Sequence, residues 1–236
     1  MRKRLLNKLK IFDKGLSFVV IWFAIFLLIG TGCQDSDHTF RIFEKPILFD
    51  EYREQLSLRY LEDRHGLEME KATIVPRMIV VHWTSVRTLE ETFDIFNRVL
   101  LTDSRSDLKN VSKLNVSAHF LVDRDGTIFR LLPDTVFARH TIGLNYMAIG
   151  IENIGGSDAP LTKLQLEANV ELIAYLSKRH EIDYVIGHHE YQKFKNSNIW
   201  KETDSNYLTD KVDPGIAFMA DLRKSLLPLK FKASPD

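Results

Sequence analysis

Residues 78–84, Met-Ile-Val-Val-His-Trp-Thr, form an apolar, largely β-branched run broken by a single imidazole. It does not alternate polar with apolar, so it reads as a strand buried on both faces, the pattern of a central strand under helices. Residues 148–154 and 184–187 are two more short apolar runs of this kind. Residues 117–122 and 127–132 are strand-like around Asp123-Arg124-Asp125-Gly126, a good hairpin turn.

Between these runs lie helical patterns. Residues 47–65 carry Tyr52, Leu56, Tyr60 and Leu61 as a packed face. Residues 88–101 begin with the capping pair Thr88 and Glu91, and residues 161–180 with Thr162 and Gln165. Asp213 is placed to cap a last helix, with Pro214 at its first position, running to about residue 226. Strands alternating with helices predict an α/β fold: a single domain with a central mixed β-sheet, mixed because of the hairpin, flanked by helices.

The first 32 residues are set apart from that fold. Arg2, Lys3, Arg4, Lys8, Lys10 and Lys14 precede twelve consecutive apolar residues, 18–29. That run is short for a membrane span of roughly 20 residues and fits the apolar core of an export signal. Gly30-Thr31-Gly32 leads directly into Cys33, the single cysteine. A lone cysteine in an exported chain is a free thiol, an intermolecular partner or a lipid attachment point. Its place after small residues resembles a bacterial lipoprotein signal. The resemblance implies cleavage before Cys33, a lipid on that residue, and a membrane-anchored protein facing the periplasm or cell envelope.

The expected organisation is a signal over 1–32, a tether and helical extension over 33–75, the main domain over 76–226 and a tail over 227–236. Removing 1–32 takes away six basic residues and one acidic residue, leaving 26 basic and 31 acidic, a formal charge of −5. An acidic domain lacks the basic surface that phosphate backbones require, so nucleic acid is not an expected partner.

Three residues stand out chemically. His82 lies near the end of the first strand-like run, His188 follows Ile186-Gly187, and Asp213 sits in Lys211-Val212-Asp213-Pro214-Gly215. Alone, each has a plain structural explanation: a core histidine, a strand-end histidine, a helix cap. Together they supply two imidazoles and a carboxylate, a ligand set for zinc that leaves the fourth position open. His189 is a second histidine beside His188, but the Gly-His register favours His188. Glu152, at the end of the 148–154 run, offers a proton acceptor, and Lys211 offers a cation. The polar stretch 189–210 is longer than a connector needs.

These pieces resemble the zinc-dependent N-acetylmuramoyl-L-alanine amidases of amidase type 2, whose fold is shared with peptidoglycan recognition proteins. The resemblance is carried by IVVHWT around His82, SAHFLVDRDGTI over 117–128, ARH over 138–140, GLNYMAIGIENIGG over 143–156, IGHHE around His188 and KVDPG over 211–215, covering about 76–224. It implies zinc held by His82, His188 and Asp213, with Glu152 and Lys211 catalytic. The implied reaction is hydrolysis of the amide between N-acetylmuramic acid and L-alanine, on peptidoglycan or muropeptides; the protein is expected to be a monomer. Arg139, His140 and Asn145 are the implied substrate-binding residues, while His119 reads as structural. The family often carries Trp where this chain has Arg139, a change at a position expected to face substrate. Two rival readings are a non-catalytic peptidoglycan-binding module on the same fold and a zinc hydrolase for another amide.

Overall fold

A computed structural model describes residues 40–102 and 111–235. The leader and Cys33 lie outside the described residues. The strands are β1 (Ile42–Glu44), β2 (Met78–Trp83), β3 (Phe120–Val122), β4 (Ile128–Arg130), β5 (Ala148–Asn153) and β6 (Tyr184–Gly187). The helices are α1 (Glu51–His65), α2 (Leu89–Asn97), α3 (Lys163–Arg179) and α4 (Ile216–Leu226), with 3-10 turns at His188–Phe194 and Leu227–Leu229.

The strands form one sheet in the order β1-β4-β3-β5-β2-β6. Only the β3–β4 hairpin is antiparallel; every other neighbouring pair is parallel. This is the mixed α/β sheet that the sequence predicts. Alternation along the central strands sorts their side chains between two faces. Ile79 and Val81 of β2, with Ile149 and Ile151 of β5, pack on Leu172, Ile173 and Leu176 of α3 and Met219 and Leu222 of α4. Met78, Val80 and Ala148 point the other way, against Leu144, Tyr191 and Phe194. His82 and Glu152 continue this second set. They are register partners at the carboxyl ends of β2 and β5, where parallel sheets place their ligand crevices.

The helix starts follow from the capping chemistry. Thr162 and Gln165 form a complete capping box on α3. On α2, Thr88 accepts the Glu91 N–H at 3.3 Å. That helix stops at Asn97, short of the expected residue 101. Asn115 Nδ2 takes the carbonyls of Ile95 and Arg98, while the buried Arg53 takes those of Phe96 and Arg98. The carbonyls that would continue the helix are therefore already used, and Leu101 turns away to pair with Lys113.

Two other expectations are corrected. Tyr52 is 48% exposed, whereas Leu56, Tyr60 and Leu61 are buried as expected; Arg53 fills the inner position beside them. Asp213 does not cap α4. The helix begins at Ile216 behind Gly215, whose φ of 94° lies in the region that favours glycine, and the Asp213 carboxylate turns inward instead. β1 pairs with β4, α1 packs beside Phe137, and Phe40–Asp236 is one compact unit.

Candidate metal centre

Three elements of the sheet's carboxyl edge converge on one point. β2 delivers His82, the turn after β6 delivers His188, and the segment before α4 delivers Asp213; all three are buried. His82 Nδ1 lies 3.0 Å from His188 Nδ1 and 3.2 Å from Asp213 Oδ2, and His188 Nδ1 lies 3.0 Å from the same oxygen. A tetrahedral zinc with bonds of about 2.0–2.1 Å separates its ligand atoms by about 3.3 Å, so the triangle is nearly of the size that ion requires. Two imidazole nitrogens and a carboxylate oxygen facing one another also form the donor set of an open zinc site.

The electrostatics suit that use. Burial, reinforced by His82 alongside, pushes the His188 imidazole down to about 4 against the opposing pull of Asp213. It is thus neutral at pH 7, the form that binds metals. Burial opposes ionisation of Asp213, but the adjoining His188 and His82 rings outweigh it and hold the carboxyl well below the usual range.

The residues between the ligands hold them in place. His189 does not face the centre. Its backbone N–H donates to the Asp213 carbonyl at 3.0 Å, and its Nδ1 lies 3.0 Å from the same oxygen. Of two adjacent histidines, one therefore turns to the centre and the other secures the backbone of a third ligand. Glu190 accepts from the Gly187 N–H and from Arg223 of α4. Tyr191 Oη donates to the Thr209 carbonyl at 2.7 Å and accepts from the Thr209 N–H at 2.8 Å. This fixes the chain two residues before Lys211.

Glu152 and Lys211 line the same pocket as the three converging side chains. Glu152 is half-buried, and Lys211 is near enough for its charge to disfavour protonation of His188. Arg139 and Asn145 line it too, but both are buried and engaged with backbone. Arg139 donates to the Ser112 and Leu114 carbonyls and lies over the Tyr60 ring. Asn145 Oδ1 accepts the N–H groups of His140 and Thr141 at 2.8 and 2.7 Å. His140 has its ring nitrogens 3.1 Å from His82 Nε2 and 3.0 Å from the Ala148 carbonyl. Burial and the neighbouring His82 push it well below the usual histidine range. His119 is structural as expected: fully buried, it bonds Val136 and Gly150.

The wall residues Tyr60 and Tyr207 carry no functional signal in the sequence. Helical spacing marks Tyr60 as inward-facing but does not say that its helix borders a site. The long 189–210 segment does reach the pocket, through Tyr207 and Thr209. It is anchored to the end of α1: Thr203 bonds the Arg64 and Asp63 carbonyls, and Arg64 pairs with Glu202 at 2.7 Å.

The family model described as Amidase_2, N-acetylmuramoyl-L-alanine amidase, matches residues 71–216. The chain belongs to this family. The match spans the whole centre: His82, Glu152, His188, Lys211 and Asp213 all fall inside it. The chain is also similar, at low identity, to solved structures. The N-acetylmuramoyl-L-alanine amidase LysC from Clostridium intestinale is 18% identical, with 81% of this chain and 99% of that one covered and a TM-score of 0.49. Human PGRP-IBETAC, in complex with glycosamyl muramyl pentapeptide, is 20% identical over 64% and 85%, with a TM-score of 0.46. The Ph2119 endolysin from a Thermus scotoductus bacteriophage is 17% identical over 78% and 98%, also at 0.46. Comparison with curated proteins gives no match.

Proposed function

We propose that this protein is a zinc-dependent N-acetylmuramoyl-L-alanine amidase that hydrolyses the amide between N-acetylmuramic acid and the L-alanine of the stem peptide. The observation that carries the reading is the convergence of His82 Nδ1, His188 Nδ1 and Asp213 Oδ2 to 3.0–3.2 Å inside a pocket also lined by Glu152 and Lys211. His82, His188 and Asp213 would hold zinc. Bound there, zinc supplies a Lewis acid for the scissile carbonyl and lowers the pKa of water toward neutrality.

The remaining work falls to the chain's own groups. Glu152 takes the proton of the attacking water and returns it to the leaving amine. Lys211 stabilises the charge that develops on the carbonyl oxygen. Arg139 and Asn145 shape the substrate wall by fixing the segments behind it. A binding module would need none of the proton-transfer groups, and this pocket has both an acid–base carboxylate and a cation. We further propose that the protein is exported, monomeric and anchored to a membrane through a lipid on Cys33, which would place the pocket beside cell-wall substrate.

Mass spectrometry of products from defined muropeptides, with and without a chelator, tests the reading. It predicts a free stem peptide beginning with L-alanine, lost on chelation and restored by added zinc. Binding without cleavage, or scission of a different bond, would overturn it.

A further inference from the structure

We propose that His140 is a positioning residue that fixes the ring of His82, with the proton on Nε2 and the bare Nδ1 turned toward His188 and Asp213. The inference rests on reading those three residues as a metal centre. Its own basis is a directional chain of hydrogen bonds behind them. His140 Nε2 lies 3.0 Å from the Ala148 carbonyl. A carbonyl only accepts, so this nitrogen must carry the His140 proton. In the neutral ring Nδ1 is then bare, an acceptor 3.1 Å from His82 Nε2. His82 Nε2 must therefore donate, which leaves His82 Nδ1 free as a ligand atom. The Thr141 hydroxyl, 2.9 Å from His140 Nδ1, is a second group at that nitrogen, and its rotor can adapt to either role.

The surroundings leave the His140 ring few alternatives. Its backbone N–H is held by Asn145 Oδ1 at 2.8 Å. The His119 ring meets it edge-on, with centroids 5.9 Å apart. The His140 ring packs against Gly150, where an added Cβ would fall 2.9 Å from ring carbons and 3.0 Å from Nδ1. The glycine two residues before Glu152 is thus the space that the ring occupies. Partners of this kind orient a metal-binding histidine and set its tautomer. Here the supporting group is a second histidine, whose own tautomer is set by a sheet carbonyl.

The test is zinc affinity, measured by competition with a chromophoric chelator, on the wild-type protein and on His140→Asn, His140→Gln, His140→Leu and Gly150→Ala. Asparagine can keep an acceptor where Nδ1 stood; glutamine reaches the Nε2 position instead, and leucine has neither. Asn should bind zinc close to the wild-type value. Leu and Gln should bind roughly 10- to 100-fold more weakly, as should Gly150→Ala, which displaces the ring without removing it. Thermal melts of the metal-free proteins establish folding, and if Leu does not fold, the order of Asn above Gln decides. Equal affinities for Asn and Gln, or wild-type affinity in Leu, would overturn the positioning role. A wild-type protein that takes up no stoichiometric zinc would instead overturn the metal reading beneath it.

Discussion

The buried ring of His119 should make this fold weaker in acid. His119 is completely buried, with Nε2 2.8 Å from the Val136 carbonyl and Nδ1 accepting the Gly150 N–H at 3.0 Å. A second proton would have to sit on Nδ1, where it would face the N–H that this nitrogen now accepts. Burial pushes the group down to about 4, from 6.5 in the unfolded chain, against smaller opposing effects of Val136 and Asp134. Between those two values the unfolded chain binds more protons than the folded one, so stability rises with pH across the window. Lowering the pH from 7 to 5 should cost about 2 kcal/mol through this group, of a limiting loss of about 3 kcal/mol below pH 4. The assay is urea unfolding at pH 7 and pH 5 for the wild type and His119→Gln. The variant should be weaker at pH 7 and should lose about 2 kcal/mol less than the wild type on acidification. An identical pH dependence in the two proteins would refute the assignment, because every other titrating group is common to both.

Glu152→Gln should keep its zinc yet lose roughly 10²- to 10⁴-fold in turnover of a muropeptide; near-normal turnover would remove Glu152 from proton transfer. Leu172→Ala, at a fully buried position between α3 and the sheet, should lower unfolding stability by about 3–5 kcal/mol. A loss under about 1 kcal/mol, of the size common at surface sites, would mean that the α3 face is not a packed core.

What could be read in the chain follows what local patterns record. The central strands were legible because burial on both faces leaves an uninterrupted β-branched run, as in residues 78–81. β6 was found at its observed limits, Tyr184–Gly187. β1 was not, because this three-residue edge strand is largely exposed and carries no such run. The end of α2 was missed because Arg53 and Asn115, distant in sequence, take its last carbonyls. Asp213 shows the same limit from the other side: its spacing to Pro214 fits a cap, and only the folded chain brings it to two histidines 25 and 131 positions away. The residues of the centre were legible as a set of chemical types. The tasks of His140 and His189 were not, since both depend on which backbone carbonyl each ring meets.

The central claim is that His82, His188 and Asp213 form one metal centre, and metal content tests it most directly. Elemental analysis of purified protein should find one zinc per wild-type chain and essentially none in His82→Ala or Asp213→Ala, with both variants still folded. Full zinc occupancy in both variants would contradict the account.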